Sequence, residues 1–174
     1  MLLHNLGIVV TQEAVAEAGG ASDLIEQHGM RVDQLDRAVR QLAPQTRFWY
    51  KDHSLIEDLV QVVADYDYPV GIEWQGVFED TLEEETQDGD YGHYSVVTMA
   101  DSIGRKLVIE DPYKDFRSQD RIFPFEFFIS RWWDTNEIPD PLTGKTRLVE
   151  DRQMMFIITP DDVTFPQLLG MTRA

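Results

Sequence analysis

Apolar positions in the first third of the chain recur at helical spacing. Leu35, Ala38, Val39 and Leu42 fall three and four residues apart, which predicts an amphipathic helix over 33–42, stopped by Pro44. Leu55, Leu59, Val62 and Val63 make a second stripe. It is opened by Ser54-Leu55-Ile56-Glu57 as a capping box and runs out near Tyr66. Thr11 is placed to cap a shorter helix through Ala18 that ends at Gly19-Gly20, and 1–6 reads as the last turns of a helix closed by Gly7. Ile8-Val9-Val10 is an extended connector between the two.

The period then changes. Segment 69–74 reads as a strand, 93–99 alternates as another, and 105–110 as a third. Asp101-Ser102-Ile103-Gly104 supplies a hairpin turn between the last two. Ile122-Phe123 predicts a further strand, and 124–133 a strongly aromatic helix with Pro124 in its first turn. Segment 134–151, polar and holding Pro139, Pro141 and Gly144, reads as a loop. A buried-type strand is expected at 154–159, then a tail over 165–174 that packs through Phe165, Leu168 and Leu169. Short helices followed by a mainly antiparallel sheet make the expected class α+β, in one domain spanning 1–174.

Charge narrows the partners. Thirty-two acidic residues against fifteen basic leave a net charge of −17, a field that repels phosphate backbones and anionic membranes and suits a basic peptide or protein. No run of about 18 apolar residues predicts a membrane span, and the N-terminus shows no secretory pattern, so a cytoplasmic location is expected. The acidic block at 79–90 lacks the ordered spacing of a calcium loop and reads as a solvated loop able to attract a basic partner. The chain has no cysteine, which excludes disulfides, thiolate metal sites and a cysteine nucleophile within these 174 residues. Four scattered histidines support no metal site, and no cofactor is expected; His4, His28 and His53 receive no role. Phe123, Phe125, Phe127, Phe128, Trp132 and Trp133 read as aromatic core rather than cleft lining, and Trp74 as a packed indole.

One pair carries candidate chemistry. His93 opens one strand and Asp111 follows the end of the next, and a turn at 101–104 sets them nearly opposite each other on one face. A carboxylate beside an imidazole fixes its tautomer and stabilises the imidazolium, which is the base-and-orienter half of a catalytic triad. Ser95 shares the face of His93, but no nucleophile elbow or oxyanion site accompanies it.

The runs Gly92-His93-Tyr94-Ser95-Val96-Val97 and Glu110-Asp111-Pro112 resemble the histidine and aspartate motifs of cysteine peptidase family 39, the bacteriocin-leader-processing, papain-like group. Other segments resemble that family in the same order. Gly7-Ile8-Val9-Val10-Thr11-Gln12-Glu13 is similar to the segment after its nucleophile helix, and 33–42 to the helix behind a Gly-hydrophobic turn, here Gly29-Met30. Tyr68-Pro69-Val70-Gly71-Ile72 resembles its strand written Arg-Pro-Val-Ile-Val. Phe125-Glu126-Phe127-Phe128 to Trp132 resembles its Glu-Phe…Trp helix, and 154–160 its last strand.

The resemblance implies a papain-like fold with a catalytic cysteine at a helix N-terminus and an oxyanion-hole glutamine shortly before it. It implies His93 as general base and Asp111 as its orienter. This chain departs from the pattern in having neither that cysteine nor the matching glutamine. By the family's spacing the nucleophile helix is expected to start one to two turns, ~5–11 Å, ahead of Met1, with 1–6 as its stump. Three readings stay open. The chain is an N-terminally incomplete hydrolase of peptide or amide bonds, inactive as it stands. It is instead a cysteine-free pseudo-peptidase that binds a peptide or regulates. Or it is an α+β domain whose His–Asp pair is structural.

Overall fold

The computed structural model describes residues 1–23, 29–77, 92–112, 119–139, 143 and 145–173. The acidic block at 79–90 and His28 therefore lie outside the described residues. The class is α+β, built as two compact units, Met1–Lys51 with Phe156–Ala174 and Asp52–Met155.

In the first unit α1 (Leu2–Asn5) buries Leu3, and Gly7 just beyond it takes the left-handed conformation expected of a helix-ending glycine (φ 75°). Helix α2 (Gln12–Gly19) is capped as its sequence demands, with Thr11 Oγ1 accepting from Ala14 N at 3.2 Å. Helix α3 (Val32–Leu42) is opened by Gln34 Oε1, which accepts from Arg31 N at 2.9 Å. Ala38 and Val39 supply its buried face. Strand β1 (Thr46–Lys51) was not expected, although Phe48, Trp49 and Tyr50 are strong strand formers. It neighbours β8 (Met155–Pro160) on one side and β9 (Thr172–Arg173) on the other. Phe48 stacks on Phe156 at 5.3 Å, and Trp49 Nε1 donates to Thr159 Oγ1 at 3.0 Å. Short α6 (Phe165–Leu168) precedes β9. The tail packs through Pro166 and Met171; Leu168 is exposed, contrary to the expectation from its hydrophobicity.

The second unit holds the rest. Helix α4 (Ile56–Ala64) buries Leu59, Val62 and Val63 as its stripe predicts. Its cap lies one residue later than the Ser54–Glu57 box: Asp58 Oδ2 accepts from Leu55 N at 2.8 Å, so Leu55 falls outside the helix and is exposed. Strands β2 (Val70–Gln75), β3 (Gly92–Asp101), β4 (Lys106–Glu110) and β5 (Asp120–Pro124) are antiparallel neighbours in the order β5-β4-β3-β2. The β3–β4 turn forms where Asp101 Oδ1 accepts from Ile103 N at 3.0 Å and Gly104 N at 2.8 Å. Helix α5 (Phe125–Arg131) follows, shorter than the expected 124–133 because Trp133 already belongs to a strand. Its Phe128 lies 4.9 Å from Trp132 and 5.8 Å from Trp74, and Trp74 meets Phe123 edge-on at 5.3 Å. These rings form the aromatic core.

Segment 134–151 is not a loop. Strands β6 (Trp133–Pro139) and β7 (Thr146–Arg152) pair as an antiparallel hairpin, with Asp134 opposite Asp151 and Asn136 opposite Val149. No helix among the described residues is long and apolar enough to cross a membrane.

Candidate functional site

Strand alternation on β2 and β3 sorts side chains onto two faces, and each face holds a polar centre. On one, Trp74 pairs with His93 and Ile72 with Ser95. On the other, Glu73 pairs with Tyr94 and Gln75 with Gly92.

The first face brings His93 and Asp111 together. His93 Nε2 lies 2.7 Å from Asp111 Oδ1. The Asp111 side chain is fully buried, whereas that of His93 is 19% exposed, so the imidazole connects a buried carboxylate to the surface. The route to this contact differs from the expected one. The β3–β4 register shifts by one residue between Val97 and Met99, and beyond the shift Val96 pairs with Glu110. The next positions are Ser95 and Asp111, so Asp111 faces Ser95 and reaches His93 diagonally instead of lying opposite it. Continued without the shift, the turn-side register would set Asp111 against Val96, on the face away from His93.

Ser95 and Arg121 stand at the second oxygen of Asp111, and nothing in the linear pattern marked their roles. Ser95 Oγ donates to Asp111 Oδ2 at 3.3 Å and accepts from Trp74 Nε1 at 3.0 Å. Arg121 Nη1 stands 3.7 Å from the same Oδ2, donates to Val77 O at 2.6 Å, and carries its guanidinium 5.2 Å from the Phe123 ring centre. Arg131 Nε donates to Gln75 O at 3.0 Å and its Nη2 to Gly76 O at 2.8 Å, fixing the end of β2 beside the site. Ser95 is buried, with its hydroxyl committed to Asp111 and its oxygen to Trp74. Trp74 is likewise buried.

The opposite face carries a carboxyl cluster under the β6–β7 hairpin. Buried Glu73 accepts through Oε1 from Asn136 Nδ2 at 3.3 Å, and the same amide donates to Asp151 Oδ2 at 2.9 Å. Burial first, and then the charge of Asp134, push Glu73 up to about 8, against the pull of hydrogen bonding by Tyr94 and Asn136. Burial, and next the neighbouring Glu73, drive the Tyr94 hydroxyl well above its usual range. Asp151 is raised by burial and then by Asp52, and Asp52 is raised by burial. Gln75 Nε2 donates to Asp134 Oδ1 at 3.3 Å. Gly92 has no side chain because the Asp134 carboxylate occupies the place its Cβ would take. No group of three or more acidic or imidazole side chains among the described residues is arranged to hold a metal ion.

Chemically, the first face can hold and pass one proton. With Nε2 given to Asp111, the neutral imidazole carries its proton there and proton transfer falls to Nδ1. Neither a family model nor a curated protein matches the chain.

Proposed function

We propose that His93 and Asp111 are the general base and orienter of a papain-like cysteine hydrolase acting on peptide or amide bonds, with the nucleophilic thiol supplied from outside these 174 residues. The observation that carries this reading is the 2.7 Å contact between His93 Nε2 and a fully buried Asp111 carboxylate, with the imidazole partly open to solvent. A surface hydrogen bond does not need a buried carboxylate held by Ser95; a base that must ionise repeatedly in one orientation does. The α+β order, with helices ahead of antiparallel strands, supports the papain-like assignment at the level of class.

In this mechanism His93 Nδ1 takes the thiol proton, and the thiolate attacks the substrate carbonyl carbon. The imidazolium, stabilised through Nε2–H by Asp111, returns the proton to the leaving amine. Water then cleaves the thioester with His93 again as base. The chain's acidic balance favours basic peptides as substrates.

The test is the native protein isolated from its source, measured for intact mass, thiol alkylation and peptide hydrolysis beside a His93→Ala variant. The reading expects an alkylatable thiol and turnover that His93→Ala abolishes. Turnover indifferent to His93→Ala, or a native protein without thiol and without hydrolysis, overturns it. The lack of cysteine favours one second reading, a pseudo-peptidase that binds a basic peptide at the His93 face without cleaving it. Peptide binding weakened by His93→Ala in a thiol-free native protein is its signature.

A further inference from the structure

The Asp111 carboxylate is contested. On one side His93 Nε2 holds Oδ1 at 2.7 Å. On the other, Arg121 Nη1 stands 3.7 Å from Oδ2, longer than a direct charge-assisted hydrogen bond. Arg121 bears a full positive charge at every relevant pH, whereas His93 does so only when protonated. The guanidinium therefore attracts the carboxylate whether or not His93 is charged, and a rotation that shortened the Oδ2 pair would loosen the Oδ1 contact with His93.

Ser95 opposes this turn, and Trp74 determines that it can. A serine hydroxyl has one proton to give and can rotate it to any nearby acceptor. The indole N–H is a donor only, so Trp74 Nε1, 3.0 Å from Ser95 Oγ, fills an acceptor site on that oxygen and directs the hydroxyl proton elsewhere. The acceptor in reach is Asp111 Oδ2 at 3.3 Å. Both Trp74 and Ser95 are buried, so bulk water does not compete for these bonds. Register makes the relay possible: Trp74 pairs with His93 across β2–β3 and reaches Ser95 diagonally, while Asp111 follows β4 on the other flank of β3.

We infer that Trp74 and Ser95 are positioning residues that act as a directed hydrogen-bond relay, holding the Asp111 carboxylate on His93 against the pull of Arg121. Neither touches substrate. The catalytic meaning of the relay rests on the reading of His93 as a base; its geometry does not.

The experiment uses the 174-residue chain with 15N-labelled histidine, the His93 ring signals being assigned by their loss in His93→Gln. Wild type is expected to show one neutral tautomer, protonated at Nε2, with a slowly exchanging Nε2 proton. Ser95→Ala should speed that exchange by about tenfold, the effect of one ordinary hydrogen bond, and admit the Nδ1–H tautomer. Trp74→Phe should do the same more weakly, because the hydroxyl then rotates freely. Backbone amide spectra report that each variant is folded. If Ser95→Ala fails to fold, Trp74→Phe decides the matter alone, since it keeps an aromatic ring against Phe123 and Phe128. Unchanged tautomer and exchange in a folded variant overturn the relay. These readouts need no turnover. A native protein without hydrolytic activity would remove the proposed reaction and leave the relay standing, and unchanged spectra would do the reverse.

Discussion

Asp111 lies 2.7 Å from His93 although the two are not cross-strand partners; Ser95 occupies the position between them. The contact depends on a one-residue shift in the β3–β4 ladder that turns Asp111 onto the face of His93. The orientation follows from the atoms involved: Nε2 belongs to Asp111, so Nδ1 is the basic nitrogen of the neutral ring. Replacing Asp111 with Asn puts a group that both donates and accepts against Nε2 and removes the preference for one tautomer. Asp111→Asn is therefore expected to give a mixture of Nδ1–H and Nε2–H forms where the wild-type chain gives Nε2–H alone, read from the imidazole 15N shifts. A single unaltered tautomer in Asp111→Asn would show that Asp111 does not orient His93.

The 174-residue chain is expected to show no cysteine-type peptidase activity. It has no cysteine, and the serine nearest the base has its hydroxyl committed to Asp111 and its oxygen to Trp74. Incubation with a mixed set of basic and neutral peptides, followed by mass spectrometry, should return every peptide intact. Cleavage that disappears in His93→Ala would mean that these residues carry a nucleophile of their own.

At Gly92 the β6–β7 hairpin comes close against β3, since a Cβ there would overlap the Asp134 carboxylate. Asp134 is short, buried and hydrogen-bonded to Gln75, so it has little freedom to withdraw. Gly92→Ala should cost about 1–3 kcal/mol, the usual range for overpacking. The same substitution in an Asp134→Ala background should cost much less, because the overlapping group is gone. Denaturant titration of the four proteins in a double-mutant cycle measures the coupling, and additive effects would sink the explanation.

These contacts also mark where sequence patterning stopped being informative. The helical stripe of Leu59, Val62 and Val63 was legible because its apolar residues face the interior at the expected spacing. His93 and Asp111 were legible as a pair because strand parity survives a miscount of two residues; their diagonal geometry was not, because nothing in Val97-Thr98-Met99 announces the shift. The β6–β7 hairpin was hidden for a different reason. Its inward face mixes Asp134, Asn136 and Asp151, set toward Glu73, with Val149 and Ile138, while Leu148 points to solvent, so no clean hydrophobic alternation marks the strands. The roles of Trp74, Ser95 and Arg121 depend on neighbours across strands, which a linear pattern does not contain.

The carboxyl groups under the hairpin lead to a pH dependence with a definite sign. Glu73 has a folded value of about 8 against an ordinary 4.5, because burial and the charge of Asp134 penalise its anion. Below 4.5 the folded and unfolded chains both hold this proton, and it contributes nothing to pH dependence. From there to about 8 the unfolded chain has released the proton and the folded chain has kept it, so stability falls as pH rises. The slope for one such group is about 1.4 kcal/mol per pH unit, and it levels off once the folded form also ionises. Asp151 and Asp52, both raised by burial, add the same sign at the acidic end of the window. Glu73→Gln keeps an acceptor for Asn136 and has no proton to lose, so it should flatten the slope across the window and leave the protein more stable than wild type at its alkaline end. Urea midpoints measured at several pH values for both proteins give the comparison. Parallel curves would mean that Glu73 ionises as readily in the folded chain as in the unfolded one, and that the hairpin is not seated on a protonated carboxyl.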